Sequence, residues 1–247
     1  MTTVISGDRI TALVLAGGRG ARMGGLDKGL QPFRGQPLVC TVLERLAAQT
    51  LRPAYIAISA NRNVARYAAL GAPFDAPVWP DGVAFDAPMQ PDRAAAHPGK
   101  PGESLPMEFP GPLAGILAGI ERAATPYLLT VPCDAPLLPL SLCERLAQTL
   151  QDDPKADLAV AQSFDGPAAP AQLQPTFCLL RRDSQGRLAR DLSAWLSAGQ
   201  RRARAWITRQ RHAIARFTAP ADDPRAFANA NTLEQLQGLE DDWNNAT

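Results

Sequence analysis

The residues best suited to chemistry begin with the stretch LVLAGGRGARMGGLDKGL at positions 13–30. It follows an aliphatic run and combines many glycines with Arg19, Arg22 and Lys28. Glycines let the backbone turn tightly and bring bare N–H groups against phosphate oxygens. The cationic side chains would neutralise a triphosphate, which carries about four negative charges at neutral pH. The stretch therefore predicts phosphate binding, and the alternative is a glycine-rich surface turn with solvated arginines.

Neither of the two familiar glycine fingerprints fits this stretch. The dinucleotide pattern G-x-G-x-x-G, started at Gly18, places Met23 where its third glycine belongs. The P-loop pattern requires G-K-[ST], whereas Lys28 follows Asp27 and precedes Gly29. A dinucleotide-dependent dehydrogenase and a P-loop hydrolase are thus excluded, and a nucleoside triphosphate held for transfer of its α-phosphate remains. Asp27 is expected to orient Lys28 or to cap the segment that follows.

Three more polar residues follow predicted strands. Asp134 comes soon after the apolar run Tyr127–Val131, where its carboxylate can hold Mg²⁺ over a phosphate or can cap a turn. Asn61 and Asp81 stand at the ends of two other predicted strands, where they can contact a ligand or cap a turn. Ligands of open parallel sheets bind beyond the carboxyl ends of strands. The sequence therefore predicts one site at that edge.

The elements that must position these residues alternate between short apolar runs and segments of helical period. This alternation predicts an α/β fold with three layers, in which helices cover both faces of a mostly parallel sheet. The predicted strands are Ile10–Leu15, Ala54–Ala60, Val78–Trp79, Tyr127–Val131, Asp157–Gln162, Thr176–Leu180 and Ala213–Phe217.

Helices are predicted where apolar residues recur on one face behind a starting residue. Pro37 and Pro112 suit the first helical position, and Thr232 and Gln235 have capping-box spacing. The predicted helices begin near Pro37, after Asn61, at Pro112, near Pro139, at Arg187 and after Thr232.

Length and composition favour one domain over residues 1–247. At 46% apolar residues the chain can bury a sizeable core, and no linker divides it. The formal charge of +1 gives no global attraction to nucleic acid or membrane. No apolar run approaches the roughly 18 residues of a membrane span, and the N-terminus lacks a signal-peptide pattern, so a cytoplasmic protein is expected. The four cysteines form no C-x-x-C pair, which argues against a disulfide framework or zinc knuckle.

Four motifs occur along the chain in a fixed order. They are LAGGRGARMGGLDKGL at 15–30, SANRN at 59–63, FPGPLAGI at 109–116 and VPCDAPLLP at 131–139. Together they resemble the motifs of the molybdenum cofactor guanylyltransferases, and the resemblance extends to Asn231 and Thr232. It implies a Rossmann-like fold of the nucleotide-diphospho-sugar transferase type. The implied reaction joins GMP from GTP to Mo-molybdopterin and releases pyrophosphate, with Mg²⁺ as cofactor.

The resemblance also implies roles for individual residues. The loop backbone at Leu15, Ala16, Gly17 and Gly18 would hold the nucleotide, and Lys28 with Arg22 would bind its phosphates. Asn61 and Asp81 would contact guanosine, while Asp134 would bind the nucleotide and Mg²⁺. In the C-terminal half, the implied pterin contacts are Gln174, Arg201, Arg202, Asn229 and Asn231.

Two departures from the family pattern stand out. Gln174 occupies a position where family members often have His before Pro, which puts the function of that His in doubt here. Residues 82–108 form a proline-rich loop insertion between Asp81 and the GPLAG motif, either a lid or a disordered decoration, and composition favours the latter.

The alternatives are a cytidylyltransferase acting on the same pterin, a sugar-phosphate nucleotidyltransferase, and a non-catalytic carrier of the finished cofactor. The LAGG and DKGL sequences favour the guanylate branch by resemblance, and Lys28 with Asp134 argues against a pure carrier. Besides the two substrates, molybdoenzymes or cofactor-handling proteins are the partners that the resemblance implies.

Overall fold

The computed structural model describes residues 4–16, 26–81, 111–164, 170–218, 222–230 and 232–245. Several predicted features lie outside these ranges. They are the glycine loop with Gly17, Gly18 and Arg22, the insertion at 82–108, and Asn231.

The centre of the fold is a seven-stranded sheet in the order β5-β4-β1-β6-β8-β7-β9. Only β8 runs antiparallel to its neighbours, β6 and β7. A separate two-stranded hairpin is formed by β2 and β3. The strands are β1 Ile10–Leu15, β2 Pro32–Phe33, β3 Gln36–Pro37, β4 Tyr55–Ser59, β5 Val78–Trp79, β6 Tyr127–Pro132, β7 Leu158–Ser163, β8 Gln172–Arg181 and β9 His212–Phe217.

Helices cover both faces of the sheet. They are α1 Leu38–Ala47, α2 Val64–Gly71, α3 Pro112–Arg122, α4 Leu142–Asp152, α5 Arg187–Ser197, α6 Ala203–Arg209 and α7 Leu233–Asn245, with 3₁₀ turns at Gly7–Arg9, Lys28–Leu30 and Ala72–Phe74. Within the described ranges, none of these helices combines the length and apolar character of a membrane span.

Strand β1 shows why the fold has three layers. Ala12 and Val14 belong to one apolar cluster, which includes residues of α1 and α4. Leu13 and Leu15 belong to a second cluster with residues of α3, α5 and α6 on the other face. Because successive side chains of a strand point to opposite faces, a strand covered on both sides is apolar at nearly every position, and the hydroxyl of Thr11, the polar residue of β1, is hydrogen-bonded to Thr125. The predicted three-layer α/β architecture is confirmed.

The predicted strands and helices are confirmed to within a few residues, and two elements were missed. Helix α6 and the β2–β3 hairpin are short and lack a periodic apolar face, so periodicity could not reveal them. Strand β8 begins at Gln172 rather than at Thr176, which places Gln174 inside the strand. β8 pairs antiparallel with β7, and the connection between Ser163 and Gln172 has fewer residues than a crossover between parallel strands needs.

The C-terminal helix α7 packs against the N-terminal half of the chain. Leu236 and Leu239 share an apolar cluster with Phe33 of the hairpin. The predicted cap is present, since the Gln235 backbone N–H donates to Thr232 Oγ1 at 3.1 Å. These contacts bring the segment before α7 to the edge of the sheet where the candidate residues gather.

Candidate active site

The carboxyl ends of β1, β4 and β6 are joined by backbone hydrogen bonds. The Ala16 N–H donates to the Ser59 carbonyl at 2.8 Å, and the Cys133 N–H donates to the Leu15 carbonyl at 3.1 Å. Leu15 and Ala16, predicted to hold a nucleotide, therefore lie beside the two strand ends that carry the other candidates. The predicted edge is where the described candidates of the N-terminal half come together.

Lys28 and Asp134 form an ion pair at this edge. Lys28 Nζ donates to Asp134 Oδ2 at 3.1 Å, and their side chains are 21% and 11% exposed. Lys28 opens the 3₁₀ turn 28–30, while Asp134 follows β6, more than a hundred residues later. A cation and a carboxylate held together in a partly buried site can respectively neutralise phosphate and ligate a divalent metal ion.

Asp27 anchors the turn that carries Lys28. Its buried carboxylate accepts hydrogen bonds from Tyr67 Oη at 2.5 Å and from Asn63 Nδ2 at 2.9 Å. Burial raises the pKa of the Tyr67 hydroxyl far above its usual range, so the hydroxyl remains a donor. The Asp27 side chain does not cap the 28–30 turn, so that alternative was wrong. Asp27 instead ties the turn to α2.

Gly29 lets the same turn approach the end of β6. A Cβ at this position would lie 2.6 Å from Tyr67 Oη, 3.1 Å from Cys133 Sγ and 3.2 Å from Cys133 Cβ. Real Cβ atoms essentially never come as close as the first of these distances, so a side chain would displace Tyr67 or the turn, and it would also crowd Cys133 at the end of β6. The glycine of the DKGL sequence thus holds Lys28 within reach of Asp134.

Replacing Tyr67 with Phe tests this anchoring. Removing a donor to a buried carboxylate is expected to lower the free energy of unfolding by about 2 kcal/mol. The turn would also loosen, so the dissociation constant for the nucleotide that the sequence predicts should rise. Denaturant unfolding and nucleotide titration measure the two effects. Tyr55→Phe is the control, because Tyr55 is 61% exposed on β4. Equal behaviour of the two variants would contradict the assigned role.

Asp81 is held by the end of β4. Its backbone N–H donates to Asn61 Oδ1 at 2.7 Å, and its carboxylate accepts a hydrogen bond from Ser59 Oγ. Burial raises the pKa of the Asp81 carboxyl, and the hydrogen bond from Ser59 acts in the opposite direction. Asn61 is exposed and Asp81 is 5% exposed. The two predicted nucleoside contacts are therefore neighbours in space.

Two of the candidates in the C-terminal half, Gln174 and Asn229, approach this edge by different routes. Gln174 lies near the start of β8 and donates through Nε2 to Ser163 Oγ at 2.9 Å. Asn229 precedes Ala230, whose backbone N–H donates to the Asp134 carbonyl at 3.0 Å. Asn229 is thus next to the residue that bonds Asp134.

Arg201 and Arg202 precede α6. The Arg201 side chain donates through Nη1 to the Leu196 carbonyl at 2.6 Å, and Arg202 is exposed at the N-cap of α6. A Cβ on Gly111 would lie 3.8 Å from the Arg201 carbonyl oxygen, so this segment passes the start of α3. Arg202 is the more exposed of the two residues.

Asp134 is the candidate metal ligand. Among the residues that the structure describes, no three His, Cys, Asp or Glu side chains gather into a closed metal site. Mg²⁺ is usually held by one or two carboxylates together with substrate phosphates and water. A single carboxylate at a strand end, next to a lysine, suits that open mode of binding.

Sequence reasoning overlooked Ser59, Asn63 and Tyr67. Ser59 and Asn63 lie within the quoted SANRN motif, from which only Asn61 was selected, and Tyr67 follows it by one helical turn. Their role depends on partners 22 to 40 positions away, Asp81 and Asp27. The only available signal was that polar residues cluster directly after a strand end.

Comparison with known families decides where the chain belongs. Residues 12–214 match the family described as MobA-like NTP transferase domain. The chain belongs to the MobA-like NTP transferase family. In this member of the family, the matched region includes the Lys28–Asp134 pair, the Asp27 network and the Asp81 contacts.

Named relatives are similar over nearly their whole length. The molybdenum cofactor guanylyltransferase of Acidovorax sp. strain JS42 is 43% identical over 236 residues, covering 94% of this chain and 95% of that protein. The molybdenum cofactor guanylyltransferase of Bordetella pertussis is 42% identical over 237 residues, covering 96% and 100%.

Solved structures support the fold assignment. Molybdopterin-guanine dinucleotide biosynthesis protein A from Archaeoglobus fulgidus has a TM-score of 0.62 at 17% identity, covering 95% of this chain and 99% of its own. CMP:2-keto-3-deoxy-manno-octonic acid synthetase has a TM-score of 0.64 at 12% identity, covering 98% and 100%. At these identities the likeness concerns the fold alone, and the predicted nucleotidyltransferase fold is confirmed.

Proposed function

We propose that this protein transfers GMP from GTP to the terminal phosphate of Mo-molybdopterin, which yields the guanine dinucleotide form of the cofactor and pyrophosphate. The observation that carries the proposal is the Lys28–Asp134 pair at the carboxyl edge of the sheet in a MobA-like NTP transferase. The names of relatives above 40% identity favour the guanylyl reaction over the cytidylyl and sugar-phosphate alternatives.

The proposed reaction depends on alignment of the two substrates and on neutralisation of phosphate charge more than on a general base. The terminal phosphate of the pterin is already anionic at neutral pH, so it can attack the α-phosphate of GTP in line. Lys28 would neutralise charge on the phosphates and on the departing pyrophosphate. The backbone from Leu15 to Gly18 would hold the triphosphate, with Arg22 beside it.

Asp134 would hold Mg²⁺ together with phosphate oxygens. When bound, the metal ion supplies Lewis-acid neutralisation of the phosphate oxygens. Two hydrogen bonds within the protein position Asp134. Its backbone carbonyl accepts the Ala230 N–H, and its carboxylate accepts a hydrogen bond from Lys28 Nζ. Asp134 would thus keep one orientation as the substrate enters.

Asp81 would recognise the guanine base, with Asn61 beside it. Guanine presents two neighbouring donors, its N1–H and its 2-amino group, and a carboxylate offers two acceptor oxygens. Adenine and cytosine do not present that pair of donors. A buried acceptor left without its donor is costly, so such a site rejects the wrong base strongly.

The C-terminal half would bind the pterin. Gln174, Arg201, Arg202, Asn229 and Asn231 are the proposed contacts, within a single domain whose N-terminal half binds the nucleotide. Gln174 already bonds Ser163 on β7, so we propose that it acts as a neutral donor or acceptor where relatives of this type often have His.

Turnover assays test the proposal. Purified protein is mixed with Mo-molybdopterin and with GTP, CTP, ATP or UTP, each with and without Mg²⁺, and pyrophosphate release is measured. Magnesium-dependent release with GTP, at least about tenfold faster than with the other nucleotides, is expected. Preference for CTP would replace the guanylyl by the cytidylyl reaction, and no release with any nucleotide would favour a carrier.

A further inference from the structure

Ser59 links the two parts of the site that meet the nucleoside. It is the last residue of β4 and is 1% exposed. Its carbonyl accepts the N–H of Ala16 at 2.8 Å, at the entrance of the glycine stretch. Its hydroxyl donates to Asp81 Oδ1. One buried serine therefore contacts both the backbone that leads into the phosphate loop and the carboxylate proposed to face the base.

Helix α3 leaves the Ser59 side chain little freedom. A Cβ on Gly115 would lie 2.6 Å from Ser59 Oγ and 3.3 Å from Ser59 Cβ. Gly115, the second glycine of the GPLAG motif, thus allows the helix to pack directly on Ser59. A hydroxyl confined in this way keeps its hydrogen bond to Asp81 without losing much further rotamer entropy.

The backbone of Asp81 is fixed separately by Asn61, at 2.7 Å. The carboxyl group can still rotate about its Cβ–Cγ bond. The hydrogen bond from Ser59 to Oδ1 sets that rotation. A carboxylate has about four lone-pair positions, so one donor from Ser59 leaves both oxygens able to accept more.

We propose that Ser59 is a positioning residue for base selection, whose hydroxyl orients the Asp81 carboxylate to accept both donors of guanine. The inference rests on the proposed function, in which Asp81 faces the base. It assigns a task to a buried side chain that would act through Asp81. It also explains why Gly115 of the GPLAG motif accompanies a serine at the end of β4.

The experiment is a double-mutant cycle on base selectivity. Dissociation constants for GTP and for inosine triphosphate, which lacks the 2-amino group, are measured with Mg²⁺ for four proteins. These are the wild type, Ser59→Ala, Asp81→Asn and the double variant. Ser59→Ala is expected to lower the preference for GTP over inosine triphosphate about tenfold. The double variant should be no less selective than Asp81→Asn alone, because Ser59 acts through Asp81.

A matched control separates positioning from stability. Thr11 Oγ1 and Thr125 Oγ1 form a buried hydrogen bond of 2.7 Å near the opposite end of β1. Thr11→Val removes a buried hydroxyl there and should lower Tm while leaving selectivity unchanged. Ser59→Cys keeps the unbranched shape of the side chain with a slightly larger atom and a weaker donor, and a similar loss of selectivity is expected of it if Ser59→Ala does not fold.

The outcomes distinguish the inference from the function on which it rests. Selectivity of Ser59→Ala equal to that of Thr11→Val, while Asp81→Asn loses it, would overturn the role of Ser59 alone. Additive losses in the double variant would also overturn it. If the wild type itself fails to prefer GTP, the proposed guanine recognition fails with it.

Discussion

Asp134→Asn is expected to lower kcat/KM for GMP transfer about 10³-fold, a loss of about 4 kcal/mol in transition-state stabilisation. Asparagine keeps the shape of the side chain but removes its charge. The proposed Mg²⁺ site would lose its carboxylate ligand, and Lys28 would lose the anion that lies 3.1 Å from its Nζ. Initial rates of pyrophosphate release, measured over a range of Mg²⁺ concentrations, provide the test. The variant should need more Mg²⁺ for half-maximal rate.

Asp157→Asn is the matched control for this change. Asp157 is also a buried carboxylate in an ion pair, 2.8 Å from Arg211, but it lies before β7 at the opposite edge of the sheet. This variant should unfold more easily and keep the Mg²⁺ dependence of the wild type. If Asp134→Asn retained a rate within a factor of about ten of the wild type, the catalytic role of Asp134 would be wrong.

Gly115→Ala is expected to combine a loss of stability with a large loss of activity. The new Cβ would lie 2.6 Å from Ser59 Oγ and 2.9 Å from Leu15 Cδ2, so α3 would have to move away from β1 and β4. Overpacking of this kind costs about 1–3 kcal/mol, only partly offset by the better helix propensity of alanine. Because the displaced helix would no longer confine Ser59, which bonds both Asp81 and the backbone of Ala16, kcat/KM for GTP should fall about 10²-fold.

Gly119→Ala provides the comparison one turn further along the same helix. There a Cβ would lie 2.6 Å from Leu13 Cδ2 and 2.8 Å from Leu128 Cδ2, within the core and away from the strand ends. Tm should fall in both variants, while kcat/KM should fall only in Gly115→Ala. Thermal unfolding and steady-state kinetics measure the two effects. Equal kinetic losses would contradict a specific role for the contact between Gly115 and Ser59.

The parts of the fold that sequence patterns predicted are those that depend on local burial. Strand β1 is buried throughout and, apart from Thr11, apolar because both faces are covered, and α3 begins with Pro112 in its first turn. Such elements can be predicted from the sequence, because the periodicity of the apolar residues indicates which side chains are buried. The strand-end positions of Asn61, Asp81 and Asp134 followed from the same signal. Their grouping at one edge then follows from the geometry of parallel strands.

The amino-acid sequence by itself determined the α/β class, a site at the carboxyl ends of the parallel strands, and a resemblance that pointed to guanylyl transfer. Only the tertiary structure decided that β8 runs antiparallel between β6 and β7, that Tyr67 holds Asp27, and that Ser59 holds Asp81. These features join residues far apart in the chain, and the sequence around one partner contains no pattern that identifies the other. A hydrogen bond between distant residues exists only once packing has placed its donor and acceptor within 3.5 Å or less of each other.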